Sequence, residues 1–163
     1  MESMENRDID WDELRRRCRS ELQRGRERGV GLQLVCDLLQ TGVPHYDWVG
    51  FYLAVPGEPM LVLGPYQGTP TEHLRIPFGT GICGQAAERR ATLVVDDVTA
   101  QDNYLACSIH VRSEIVVPVM DGSTVRAEID IDSHQRAAFT AEDRRFLEWL
   151  APLSVEHLPA LEA

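Results

Sequence analysis

The chain has 163 residues, 44% of them hydrophobic and 26% charged, the composition of a globular protein able to bury a real core. Its formal charge of −10 argues against nucleic acid or an anionic membrane surface as partner, and weakly favours a ligand that carries positive charge. No apolar run reaches membrane-spanning length, and the first residues lack a signal-peptide core, so a cytoplasmic protein with reduced thiols is expected.

The expected organisation is a single unit over 1–163, with a helical N-terminal segment over 1–42 and a core over 48–150. Trp11, Leu14, Cys18 and Leu22 recur at helical spacing, and Leu32, Val35, Cys36 and Leu39 make a second stripe. The arginines of the first segment alternate with Asp12, Glu21 and Glu27 and read as a solvated face. Cys18 and Cys36 sit in the apolar stripes and read as small buried hydrophobes. After Gly42-Val43-Pro44 the period changes. Trp48–Leu53 and Met60–Leu63 predict a hairpin across Pro56-Gly57-Glu58-Pro59. Arg75-Ile76-Pro77 is short and extended, Gly79-Thr80-Gly81 leads into a helix over Ile82–Arg89, and Thr92–Val95 is a further strand.

Glycines before a helix leave backbone N–H groups of Gly81, Ile82 and Cys83 able to hold an anion. The polar loop from Asp96 to Cys107 is long enough to be functional. Glu114–Val119 and Val125–Ile131 are the clearest strands, joined at Asp121-Gly122. Val125, Ala127, Ile129 and Ile131 face one way; Arg126, Glu128, Asp130 and Asp132 face the other. Acids alternating on a strand are more often a wet sheet face than a site. Thr140 and Asp143 cap a last helix whose apolar face is Phe146, Leu147, Leu150 and Leu153. The fold class is α+β: a central antiparallel sheet, terminal helices on one face, and a ligand-binding excursion over Phe78–Cys107 on the other.

Several motifs carry a family likeness: Trp48-Val49-Gly50-Phe51-Tyr52-Leu53, Leu63–Gly68, Ile76-Pro77-Phe78-Gly79-Thr80-Gly81-Ile82-Cys83-Gly84, Ser113–Pro118 and Asp130-Ile131-Asp132-Ser133. From about Trp48 to Leu150 the chain resembles the GAF-domain free methionine-(R)-sulfoxide reductases. The resemblance implies an oxidoreductase that reduces free L-methionine-(R)-S-oxide through a cysteine sulfenic acid, in answer to oxidative stress. It implies Cys107 as nucleophile; Cys83 reads as readily as a small packed residue as a redox partner, so recycling falls to Cys83 or to an external thiol. Glu114, Asp130 and Asp132 would bind and activate the substrate, with Trp48 and Tyr66 beside them. No cofactor is implied; thioredoxin or another thiol would donate electrons, and a homodimer is expected.

Two departures stand out. Where the family commonly has a resolving cysteine, this chain has Thr71-Glu72-His73. Gln101-Asp102-Asn103-Tyr104 replaces the usual approach to the nucleophile, and Ser108 follows Cys107 where an aspartate is usual. The alternative is a GAF-like sensor domain that binds a small molecule without turning it over. The chain has no room for an output domain, which favours the enzyme.

A shared pocket constrains the last hairpin. A two-residue turn at Asp121-Gly122 would set Glu114 opposite Ile129, on the apolar face. A three-residue loop, or an equivalent bulge, would set it opposite Asp130. The odd-length connection is expected.

Overall fold

A computed structural model describes residues 8–101 and 109–161. Helices α1 (Trp11–Gly25) and α2 (Gly31–Gly42) come first, followed by strands β1 (Trp48–Ala54), β2 (Met60–Gln67) and β3 (Arg75–Pro77). Helix α3 (Gly81–Arg89), strand β4 (Leu93–Val95) and a 3-10 turn over Val98–Ala100 make the excursion. Strands β5 (Ser113–Asp121) and β6 (Thr124–Ser133) and helix α4 (Ala141–Ser154) complete the order. The six strands form one antiparallel sheet ordered β3-β2-β1-β6-β5-β4. Both central strands carry apolar residues at alternate positions, which is what lets each face bury a separate core.

On one face, α1, α2 and α4 cover Val49, Phe51, Leu53, Ile115, Val117, Ala127, Ile129 and Ile131. Cys18 and Cys36 are fully buried in this core. Burial pushes the Cys18 thiol up to about 12 and that of Cys36 upward as well, so neither offers a thiolate. On the other face, Trp48, Tyr52, Leu61, Ile76 and Val116 pack beneath Ile82, Cys83, Ala86 and Ala87 of α3. The helix comes that close because residue 84 is glycine. A Cβ there would meet the Pro77 carbonyl oxygen at 2.4 Å.

The last hairpin joins its strands through a two-residue turn, Gly122-Ser123, with Asp121 paired to Thr124 and Met120 to Val125. One extra residue on β6 then shifts the register, pairing Val119 with Ala127. This bulge does the work expected of an odd-length connection. Glu114 lies opposite Asp132 rather than Asp130, two residues further along but on the same face.

The α4 end is fastened by a buried polar knot. Asp143 Oδ1 accepts from the Tyr46 hydroxyl at 2.8 Å and meets His45 Nε2 at 2.7 Å. Its Oδ2 accepts from the Thr140 backbone N–H at 2.7 Å, closing a capping box whose other half is the Thr140 side chain. Burial pushes the Asp143 carboxyl up. His45, the Thr140 N–H and Tyr46 together outweigh it and hold the group below its usual value. Among the described residues, no helix is long and apolar enough to cross a membrane.

Asp143→Ala should cost about 3–5 kcal/mol, because it leaves Tyr46 and His45 buried without their acceptor; chemical denaturation measures the loss. A carboxyl with a lowered folded pKa stabilises above its unfolded value of about 4 and loses that contribution as acid titrates it. Wild-type stability should therefore fall below about pH 4 by an increment that is absent from Asp143→Asn.

Candidate active site: a thiol over a buried acidic strand face

Strand period places Glu128, Asp130 and Asp132 on the face that α3 covers, and the bulge adds Glu114 from β5. The general tendency of alternating acids to face water is not followed here. Glu114, Glu128, Asp130 and Asp132 are 4%, 0%, 1% and 1% exposed, because the excursion folds down over them. Cys83, in the first turn of α3, points at this face. Its Sγ lies 4.0 Å from Glu114 Oε2, and one ligand atom from each of Cys83, Glu114 and Asp130 falls within 4.8 Å of the others. A single cation could bridge all three.

Burial dominates the electrostatics. It pushes the Cys83 thiol well up, and Asp130, Glu114, Glu128 and Asp132 push in the same direction. Cys83 is thus a protonated thiol in the resting protein. The Asp130 carboxyl is raised by burial, and the nearby Glu114 and Cys83 offset this only in part. Neither Asp130 oxygen makes a well-formed hydrogen bond. Glu128 is raised further, by burial and then by Asp130, and neither of its oxygens has a partner.

Tyr52, His73, Ile76, Thr80, Gly81, Ile82, Cys83, Glu114 and Asp130 line a small pocket in front of these groups. The start of α3, Gly81 to Cys83, forms one wall of it. The Tyr52 hydroxyl donates to the His73 carbonyl at 2.9 Å and so ties the 71–73 segment to the sheet. Two wider surface grooves lie elsewhere, one along Pro118, Arg144 and Pro152 and one beside Phe78, Ala87 and Arg126. Neither contains a thiol, so the chemistry points to the smaller pocket.

Trp48 lies opposite Asp132 and Gly50 opposite Asp130 on β1. The Trp48 ring sweeps over Gly50, where an added Cβ would come within 2.4 Å of it. Its Nε1 donates to the Thr69 carbonyl at 3.0 Å, and its ring stacks on Tyr66 with centroids 5.4 Å apart.

The GAF domain family model matches residues 31–154. Free methionine-R-sulfoxide reductase from Escherichia coli is 38% identical over 113 residues, 69% of this chain and 67% of that protein. The chain belongs to this family. The Saccharomyces cerevisiae free methionine-R-sulfoxide reductase is 42% identical over 110 residues, 66% of this chain and 60% of that one. A solved structure of free methionine-R-sulfoxide reductase from Neisseria meningitidis, in complex with its substrate, is 35% identical. It superposes with a TM-score of 0.83 over 90% of this chain and 87% of that one.

Within this reductase family frame, the structure brings Cys83, Glu114 and Asp130 together, with Asp132 and Trp48 adjacent in register. Tyr66 is a half-buried support behind Trp48, not part of the pocket lining. Cys107 lies outside the described residues. Sequence reasoning passed over two residues. Tyr52 shares the face of Trp48 and Gly50, and period two along β1 was the signal for it. Glu128 was assigned to the correct face but given no part.

Gly50→Ala should unseat the Trp48 indole, costing about 1–3 kcal/mol as overpacking does. Thermal denaturation and a shift in tryptophan emission would register it, and Gly42→Ala, where an added Cβ meets nothing nearer than 4.0 Å, serves as the control.

Proposed function

We propose that the protein reduces free L-methionine-(R)-S-oxide to L-methionine. The observation that supports this most directly is the buried convergence of Glu114, Asp130 and the Cys83 thiol, in a chain that belongs to the free methionine-R-sulfoxide reductase family. A free amino acid brings an ammonium, which the buried carboxylates of Asp130 and Asp132 suit, and a carboxylate, which suits the N–H groups at the start of α3.

Cys107 is the nucleophile in this reading. Its sulfur attacks the sulfoxide sulfur, the oxygen passes to Cys107 as a sulfenic acid, and methionine leaves with its lone pair restored. A carboxyl group of the cluster protonates the departing oxygen and recovers a proton from the attacking thiol. Burial that favours protonated acids and a protonated thiol fits this exchange, because it favours a proton in the pocket when the substrate arrives. The cycle closes when the Cys83 thiol condenses with the sulfenic acid, releasing water and forming a disulfide that a thioredoxin-type reductant then opens. An external thiol takes the place of Cys83 if the two sulfurs cannot meet. The thiols of Cys18, Cys36 and Cys83 are free, in keeping with a reducing, cytoplasmic setting. A homodimer remains part of the proposal.

Thioredoxin-coupled turnover of the separated R and S forms tests the assignment: the R form should turn over and the S form should not. Binding without turnover would identify a non-catalytic GAF domain instead. Cys107→Ser should abolish reduction with the fold intact, and Asp130→Asn should lower kcat/KM by about 10² or more. Full activity in Cys107→Ser would overturn the mechanism.

A further inference from the structure

We infer that the same pocket is a binding site for a soft divalent cation of the zinc class, held by Cys83 Sγ and the carboxylates of Glu114 and Asp130. Acidic residues alone would not identify such a site. Here a thiol is one of three donors that already lie within 4.8 Å of one another, and all three residues are buried. Around tetrahedral zinc, with Zn–S near 2.3 Å and Zn–O near 2.1 Å, neighbouring donors stand about 3.5 Å apart. The Cys83–Glu114 separation of 4.0 Å is therefore within a small side-chain adjustment of coordination.

A second observation points the same way. Asp130, which lines the pocket, has no well-formed hydrogen bond to either oxygen and has as polar neighbours Glu114 and Cys83, the other two donors, while the fully buried Glu128 two residues behind it has none. Buried carboxylates are ordinarily paired, hydrogen-bonded or bound to metal. The donor set selects the ion. A thiolate with two carboxylates suits Zn²⁺ or Cd²⁺, whereas Mg²⁺ and Ca²⁺ require oxygen donors alone. The fourth position is left to water. Glu128 stands outside the donor set, two residues from Asp130, and a bound cation favours its ionised form, which in turn strengthens the site. On binding, the Cys83 thiol gives its proton to solvent and forms the S–metal bond; nothing is oxidised or reduced.

The consequence for turnover rests on the reductase reading, and the binding does not. A bound ion occupies the carboxylates that would receive the substrate ammonium and ties up the Cys83 sulfur. Zinc should therefore inhibit competitively with free methionine sulfoxide, and a chelator should restore activity.

The test is titration of Cd²⁺ into the reduced full-length protein, followed by the ultraviolet charge-transfer absorption of the thiolate–cadmium bond. The band should saturate at equimolar metal, survive in Cys107→Ser, and disappear in Cys83→Ser. Glu114→Gln, which keeps the size of the buried side chain, and Glu128→Gln should each weaken affinity by about tenfold, and Mg²⁺ should not displace the ion. Absence of the band, or its persistence in Cys83→Ser, overturns the site. A band of the expected behaviour with no competition from methionine sulfoxide upholds the cation site and counts against the substrate reading.

Discussion

Four acidic side chains buried on one face of a sheet set the terms for the rest of this molecule. Each ionised carboxylate withdrawn from water without a partner would cost several kcal/mol, by the usual range of about 1–3 kcal/mol per unsatisfied polar group and more for a charge. Burial limits that cost by favouring the protonated forms. Asp130 and Glu128 are both raised by burial, and the Cys83 thiol above them is held protonated by burial and by their proximity. The pocket therefore favours the protonated forms of its acids and its thiol, and a ligand bearing an ammonium, or a metal ion, would favour the ionised ones.

Burial of these acids depends on how closely α3 can approach the sheet. Gly84 lets the helix backbone reach the end of β3, and Ala86 and Ala87 keep its underside shallow. Gly50 performs a matching service in the sheet, since its missing side chain makes room for the Trp48 ring opposite Asp130 and Asp132. Small residues above and below thus create the space, and the aromatic and acidic side chains fill its edges.

The opposite face is organised for rigidity. Its core is mainly apolar, and the knot of His45, Tyr46, Thr140 and Asp143 ties the segment before β1 to the start of α4. Asp47, two residues on from His45, accepts from the His134 N–H at 2.7 Å, and its own N–H donates to the Asp132 carbonyl at 3.0 Å. The ends of β1 and β6 are therefore held together where Trp48 and Asp132 emerge. A site whose members come from β1, β5, β6 and α3 needs such fastening, because a small displacement of any one element would separate the donors.

The sequence by itself determined which residues share a face. Period two along β6 separates Ile129 and Ile131 from Glu128, Asp130 and Asp132 whatever the rest of the chain does, and helical spacing commits Cys18 and Cys36 to a core. The motifs around Cys83, Glu114 and Asp130 were sufficient for the family. Local chemistry could not decide whether the acidic face meets water, since that depends on α3 and its loop, tens of residues away. Nor could it set the register. The connection is a two-residue turn followed by a bulge, and Glu114 meets Asp132 because the extra residue sits in β6. The same holds for Cys83, which the sequence left equally open as a small packed residue, and for Tyr66, whose ring supports Trp48 while Tyr52 reaches the pocket. Side-chain direction along one strand is a local property fixed by backbone geometry; burial, register and the meeting of residues from different elements are properties of the assembled layers.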